Sequence, residues 1–118
     1  MLILIAEDDE LILKTIEHKL HKEGHEVILT RNGKEAIETL QEREVDLAIT
    51  DIMMPFASGI EILSAIQGMG KNIPVIMLSS MGQEEVVLNA FDLGAADFIV
   101  KPFSPSELML RVKRFLSK

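Results

Sequence analysis

The sequence predicts one α/β domain, in which five short strands form a parallel sheet covered by helices on both faces. Two observations carry this prediction. Short apolar runs recur along the 118 residues, and each is followed by a segment whose apolar positions repeat every three or four residues, as in an amphipathic helix. Gly, Asn or Pro stands at many of the junctions, which indicates short connections. Strands that alternate with helices in this way pair in parallel through right-handed crossovers.

The predicted strands differ in how deeply they lie in the sheet. The runs at residues 2–6 and 75–78 are entirely apolar, which is typical of strands that are buried on both faces. Residues 25–30 are less apolar, so we expect this strand to lie toward the edge of the sheet. The other two strands are predicted at residues 46–51 and 98–100.

The predicted helices have recognisable ends. The first helix extends to about residue 23, and Gly24 ends it as a left-handed cap. Its buried face is predicted to carry Ile12, Ile16 and Leu20, with Leu13 beside them, and that of the third helix Ile60, Leu63 and Ile66. The other helices are predicted after Asn32-Gly33, over residues 59–69 and 83–93, and from Pro105 onward.

The composition excludes several classes of protein. Cysteine is absent, which suits a reducing compartment, and we expect a cytoplasmic location. The apolar runs are far shorter than a membrane span, so no association with a membrane is expected. A net charge of −7 lacks the cationic surface that non-specific binding to nucleic acid requires. We therefore expect no direct nucleic-acid binding by this domain.

The stretch from Asp46 to Gly59 contains the most informative carboxylate. An apolar strand ends here at Asp51, and Pro55 and Gly59 mark the loop that follows. Ligands of open α/β sheets bind at the carboxyl ends of the strands, where this acid is expected. A lone Asp after a strand most often caps a turn, so the other strand ends decide between the two interpretations.

Polar side chains follow the other predicted strands as well. Because the carboxyl ends of parallel strands lie at one edge of a sheet, the sequence brings these groups together there. Crowded carboxylates repel one another unless a cation lies between them, and oxygen ligands without His or Cys suit Mg²⁺. A lysine and a hydroxyl opposite them would neutralise and bind a phosphoryl group. The predicted site therefore holds a phosphoryl group on a carboxylate, and its residues are Glu7, Asp8, Asp9, Asp51, Ser79, Ser80 and Lys101.

Each of these residues also has an ordinary structural explanation. Acids such as Asp9 and Glu10 suit the first turn of a helix through its dipole. Ser79 could cap a helix or a turn, and Lys101 could be a surface lysine. Asp97 is predicted to cap a turn. Four separate segments deliver complementary groups to one edge, which favours a shared site over four unrelated explanations.

Four segments of the chain together resemble the receiver domain of bacterial two-component response regulators: residues 5–9, residues 50–55 with Gly59, residues 77–80 and residues 100–103. The resemblance covers essentially the whole chain. It implies a flavodoxin-like, doubly wound (βα)₅ fold with a five-stranded parallel sheet in the order 2-1-3-4-5. Residues 1–118 are then one receiver domain, which either stands alone or forms the N-terminal part of a longer regulator.

The resemblance also implies a role for each site residue. Asp51 would accept a phosphoryl group from a histidine kinase or a phosphotransfer protein. Asp8 and Asp51 would bind Mg²⁺ directly, Glu7 would act mainly through water, and Met53 would contribute its backbone carbonyl. Lys101 would pair with the phosphoryl oxygens, and its peptide bond to the following proline is typically cis in this family.

A second set of residues is implied to transmit the signal. Ser79 matches the switch hydroxyl, and Phe98 lies where the family often has Tyr, so any coupling through its ring must be steric. The output surface would be the fourth helix, fifth strand and fifth helix, through which we expect a homodimer to form. Met53 and Met81 flank the phosphoryl group in this family, and because neither can orient water, slow self-dephosphorylation is expected.

The preferred function is a phosphoacceptor switch, with no enzymatic activity beyond self-catalysed phosphorylation and dephosphorylation. One alternative is a small Mg²⁺-dependent phosphohydrolase, but such enzymes usually carry a second acid two residues after the nucleophile, where this chain has Met53. The other is a receiver-like module that only binds partners. It is disfavoured because the set of Asp8, Asp51, Ser79 and Lys101 is intact.

Overall fold

The computed structural model describes residues 1–54, 58–80 and 82–115. Within these ranges five strands alternate with five helices, which confirms the predicted α/β class. The ends that the sequence predicts lie within one residue of the observed ones. The elements are β1 (Leu2–Ala6), α1 (Glu10–Lys22), β2 (Glu26–Thr30), α2 (Gly33–Glu42), β3 (Leu47–Asp51), α3 (Gly59–Gly68), β4 (Val75–Ser79), α4 (Glu84–Asp92), β5 (Asp97–Val100) and α5 (Pro105–Lys113).

The strands form one parallel sheet in the order β2-β1-β3-β4-β5. This order confirms the one that the resemblance implies. The less apolar strand β2 lies at an edge, as its composition predicts. The strands β1, β3 and β4 lie inside the sheet, where every neighbour is another strand or a helix, and this burial explains their apolar sequences.

The core consists of two apolar layers, one on each face of the sheet. Successive residues of a strand point to opposite faces, so β1 sends Leu4 and Ala6 into one layer and Ile3 and Ile5 into the other. Helices α2, α3 and α4 cover the first layer, and α1 and α5 cover the second. No helix in the described part of the chain is long and apolar enough to cross a membrane.

Side-chain caps fix how several helices leave the carboxyl edge of the sheet. The Asp9 carboxylate accepts hydrogen bonds from two amides in the first turn of α1. Asn32 caps α2, Ser58 forms a capping box with Glu61 in α3, and Ser104 caps α5. These caps satisfy amides that the helices leave unpaired, and they hold the connections that carry the site residues.

Gly59 lets α3 begin directly against the end of β3. Its amide donates a 2.9 Å hydrogen bond to the carbonyl of Ile52. A Cβ atom at this position would lie 2.5 Å from the carbonyl oxygen of Asp51 and 3.0 Å from Cα of Ile52. Both obstacles are backbone atoms, so the contact cannot be relieved by rotating a side chain. The glycine is therefore required by close packing.

One prediction is wrong, and the burial of two helix faces differs in detail from the expected one. Asp97 does not cap a turn: it opens β5, is buried, and forms ion pairs at 2.7 Å with Arg111 and 3.0 Å with Arg114 on α5. In α3 the side chain of Ile62 is fully buried. Ile60 is only partly buried, although it packs against the same apolar layer. In α1 the fully buried side chains are Leu13, Ile16 and Leu20, and Ile12 is partly exposed.

We expect the substitution Gly59→Ala to lower the free energy of unfolding by about 2 kcal/mol, because the added methyl group must displace backbone. Gly68→Ala is the matched control, since it lies in the same helix and its Cβ would meet nothing within 4 Å. The control should be neutral or more stable by up to about 1 kcal/mol. Denaturant titration of both variants measures the difference, and equal stabilities would contradict the packing argument.

Candidate functional site

The carboxyl ends of β1, β3, β4 and β5 bring the predicted residues to one edge of the sheet. Glu7 and Asp8 follow β1, Asp51 ends β3, Ser79 ends β4 and Lys101 follows β5. One carboxylate oxygen from each of the three acids Glu7, Asp8 and Asp51 lies within 4.8 Å of the other two. The structure therefore confirms the prediction that these acids lie close together at one edge of the sheet.

Lys101 lies against two of these acids. Its Nζ atom is 2.7 Å from Oε1 of Glu7 and 3.2 Å from Oδ2 of Asp51. The lysine side chain is 16% exposed, and that of Glu7 is fully buried. The other oxygen of Glu7 accepts a 3.1 Å hydrogen bond from the backbone amide of Asp9. The lysine therefore acts as an internal counterion, and it is not the surface residue of the ordinary explanation.

Burial and the close charges shift the protonation of this group of residues. Burial raises the pKa of the Glu7 carboxyl above its ordinary value, although the Lys101 ammonium and the Asp9 amide act in the opposite direction. Burial alone would lower the pKa of the Lys101 ammonium. The contacts with Glu7 and Asp51 outweigh it, so the pKa is raised and the lysine stays charged.

The acids fit a divalent cation. Three carboxylates lie together and one ammonium contacts two of them, so negative charge is in excess when all three are ionised. Among the described residues, Oε1 of the buried Glu7 has no well-formed hydrogen bond and relies on its ion pair with Lys101. Hard oxygen ligands of this kind suit Mg²⁺, which also keeps several waters. Asp8 is exposed and Asp51 is 6% exposed, so the cluster is open on the side of Asp8.

Ser79 lies next to the lysine across the strand ends. It is paired in register with Val100, and its carbonyl accepts a 2.8 Å hydrogen bond from the amide of Lys101. The residue is buried. The N-cap of α4 is Gln83, so Ser79 does not cap that helix. The Lys101–Pro102 peptide bond is cis, as the resemblance implies.

Met53 and Phe98 lie in different surroundings. Met53 is 63% exposed, two residues beyond Asp51. Phe98 is buried in β5, in the apolar layer that α4 covers. Pro55 and Met81, which the sequence places beside the site, lie outside the described residues.

Two features beside the site, an ion pair and a pocket, could not be predicted from the sequence. Arg31, just after β2, pairs with Glu10 in the first turn of α1. An apolar pocket of about 450 Å³ lies next to Lys101, between α1 and the connection from β5 to α5, and its lining includes Leu11, Ile12 and Phe103. Neither has a signal in the local sequence, because each depends on segments that are far apart in the chain.

We expect Lys101→Met to lower the free energy of unfolding by about 2–3 kcal/mol in the absence of divalent cations, because it leaves buried carboxylates without their counterion. Mg²⁺ should recover part of this loss. Lys113→Met is the control: Lys113 is 58% exposed and 3.9 Å from Glu23. Removing it should change stability by less than about 0.5 kcal/mol. Denaturant titrations with EDTA and with Mg²⁺ make the comparison, and equal losses would contradict the counterion role.

Comparison with known proteins identifies the family of this arrangement. The family model described as response regulator receiver domain matches residues 3–113. Response regulator RR06 of Streptococcus pneumoniae is 40% identical over 118 residues, which are all of this chain and 54% of that protein. Response regulator SaeR of Staphylococcus epidermidis is 40% identical over 116 residues, which are 98% of this chain and 50% of that protein. The chain spans about half the length of these curated relatives.

Solved structures agree with the sequence comparison. The receiver domain of the Francisella response regulator 1452 superimposes with a TM-score of 0.92 at 32% identity, over 97% of this chain and 94% of that one. The chemotaxis response regulator CheY4 of Vibrio cholerae gives a TM-score of 0.89 at 30% identity, over 97% of each chain. The chain therefore belongs to the family of response regulator receiver domains, the signalling switches of two-component systems.

Proposed function

We propose that Asp51 accepts a phosphoryl group from a histidine kinase or a phosphotransfer protein, with Mg²⁺ bound beside it, and that this event alters the output surface of the domain. The observation that carries the proposal is the contact of Asp51 with both an acid cluster and a lysine. Its Oδ2 lies 3.2 Å from Nζ of Lys101, and one of its carboxylate oxygens lies within 4.8 Å of oxygens of Glu7 and Asp8. Such a cluster offers both a nucleophile and charge compensation.

Among the three acids, the surroundings favour Asp51 as the nucleophile. Glu7 is fully buried, and its oxygens face Lys101 and the amide of Asp9. Asp8 is exposed at the end of the cluster, and among the described residues no lysine pairs with it. Asp51 ends the central strand of the sheet and is paired in register with Leu78 of β4, so its backbone is held in place. A fixed carboxylate next to a cation suits in-line attack.

The chemical step follows from these contacts. An oxygen of Asp51 forms a bond to phosphorus while the bond between phosphorus and the donor atom breaks. Lys101 is positioned to offset the charge on the phosphoryl oxygens, and its raised pKa keeps it protonated. Mg²⁺ would supply further compensation of charge there. Glu7, Asp8 and Asp51 would hold it with the backbone carbonyl of Met53.

Phosphorylation would be read through Ser79 and Phe98. The Ser79 hydroxyl, on the strand beside Asp51, would move toward the new phosphoryl oxygens. Space would open near β5, where the Phe98 ring packs under α4. The coupling would be steric, because the ring has no hydroxyl group. It would shift the populations of two surface conformations.

We propose that this surface pairs two copies of the domain and that the protein acts in the cytoplasm, where its kinase would phosphorylate it. Exposed apolar side chains on α4, β5 and α5 support a contact between copies: Leu88, Phe91, Val100 and Leu110. The apolar pocket beside Lys101 supports docking of the phosphate donor next to the site. We propose no direct contact with nucleic acid and no catalysis beyond self-phosphorylation and self-dephosphorylation.

Incubation with Mg²⁺ and acetyl phosphate, followed by measurement of the intact mass, tests the acceptor. The parent should gain the mass of one phosphoryl group, and Asp51→Asn should gain none. Asp46→Asn is the matched control. Asp46 is exposed and directly precedes β3, at the edge of the sheet opposite the site, and its side chain accepts a hydrogen bond from the amide of Leu2. It should be labelled like the parent. Labelling of Asp51→Asn would move the acceptor to another residue.

The polarity of residue 53 should control how long the phosphoryl group persists. We expect Met53→Asn to dephosphorylate about tenfold faster than the parent. The effect should be smaller than the roughly 10²-fold effect of a general base, because an amide can orient water but cannot take up its proton. Met53→Leu separates polarity from loss of the methionine and should remain slow. The rate of loss of phosphoryl mass after removal of the donor decides. A parent that is as fast as Met53→Asn would contradict the expectation.

A further inference from the structure

We propose that Met53 is an oxidation site, at which a peroxide converts the thioether to a sulfoxide and thereby shortens the lifetime of the phosphoryl group on Asp51. The inference rests on the proposed function of Asp51. It adds a chemical modification and a second input signal to the same site.

Exposure singles out this methionine. The residue is 63% exposed, and it is the one methionine among the exposed large apolar residues of the described ranges. Met77 is fully buried and Met109 is 3% exposed. Met54 and Met69 are half-buried. Because oxidation of thioethers follows access, a peroxide in solution should reach Met53 before the other methionines that the structure describes.

The composition removes the usual competitor for an oxidant. The chain contains no cysteine, so thioether groups are its oxidisable sulfur. In most proteins a peroxide reacts first with an accessible thiolate. Here the most exposed methionine of the described residues lies beside the candidate site.

The backbone holds Met53 close to the carboxylate. The amide of Ile52 donates a 3.0 Å hydrogen bond to the carbonyl of Leu78, and its carbonyl accepts a 2.9 Å hydrogen bond from the amide of Gly59. The residue between Asp51 and Met53 is thus tied to both β4 and the start of α3. Met53 therefore leaves the sheet at the edge where the acid cluster lies.

The reaction balances with hydrogen peroxide as the oxidant. A lone pair of the sulfur forms a bond to one peroxide oxygen, and the O–O bond breaks. The other oxygen leaves as water after it takes up the proton of the transferred one. Sulfur loses two electrons and peroxide gains two. The product is a sulfoxide, which methionine sulfoxide reductases return to the thioether.

The new oxygen changes the surroundings of the phosphoryl group. A thioether is a weak hydrogen-bond acceptor and cannot hold water in a defined position. A sulfoxide is polar and accepts hydrogen bonds through its oxygen. It would hold water at the exposed side of Asp51, which is itself only 6% exposed. Water held there is placed to attack phosphorus, so loss of the phosphoryl group accelerates.

Limited oxidation followed by phosphorylation tests the proposal. The protein is treated with hydrogen peroxide until about half of the molecules carry one added oxygen, and peptide mass mapping locates it. After labelling with acetyl phosphate and Mg²⁺ and removal of the donor, the intact mass follows oxidised and unoxidised molecules in one sample. We expect the first added oxygen to be on Met53. The phosphoryl group should have a roughly tenfold shorter lifetime in the oxidised molecules, a smaller effect than that of a general base. Treatment with sulfoxide reductase should restore the longer lifetime.

Two variants sharpen the comparison. Met69→Leu removes a half-buried methionine at the far end of α3 and should show the same oxidation-dependent shortening as the parent. Met53→Leu should give equal lifetimes with and without peroxide, whatever its basal lifetime is. The ratio within each variant is the readout, so it does not depend on how well the variant is labelled.

The outcomes separate the two levels of the argument. A first oxygen on another methionine, Met81 included, overturns the oxidation site. Oxidation of Met53 with an unchanged phosphoryl lifetime overturns its effect on Asp51. A parent that takes up no phosphoryl group overturns the proposed function, and the lifetime claim with it. Normal uptake with failure of either oxidation result overturns this proposal alone.

Discussion

The contact of Lys101 with Glu7 and Asp51 is the constraint on which the carboxyl edge of the sheet depends. Three acids within a few ångströms are unfavourable in a folded protein unless cations compensate them. The lysine supplies part of that compensation from a different strand, so the site exists only when β1, β3 and β5 are in register. The remaining excess of negative charge suits the binding of a cation at this edge. Stability and chemistry thus depend on the same atoms.

The rest of the fold holds this edge rigid. Parallel strands buried between two apolar layers place each strand end at a fixed height, and side-chain caps turn the chain directly into the helices. Gly59 allows α3 to start in contact with the last residues of β3. At the opposite end of β5, Asp97 pairs with two arginines of α5. Ion pairs therefore hold both ends of this short strand, one within the site and one far from it.

Local sequence could predict what depends on neighbours in the chain. Entirely apolar strands such as residues 2–6 and the glycine at position 24 carried their own signals, and strand ends identified Asp51 and Lys101 once the sheet was known to be parallel. The role of Asp97 could not be predicted, because its partners lie 14 and 17 residues later on a helix. Nor could sequence show that Glu7 is fully buried while the adjacent Asp8 is exposed. Glu7 is covered by the side chain of Lys101, which follows β5, whereas Asp8 lies on the open side of the cluster.

The length of β5 is constrained because ion pairs hold both of its ends. Phe98 points into the layer under α4, and Ile99 points into the layer under α1 and α5. One inserted residue would exchange these faces and would also pull either Asp97 from its arginines or Lys101 from the acids. Insertions and deletions should thus be absent from this strand over evolutionary time, and variation in chain length should accumulate in loops away from both anchors. The four residues of β5 therefore set the distance between the ion pairs of Asp97 and those of Lys101.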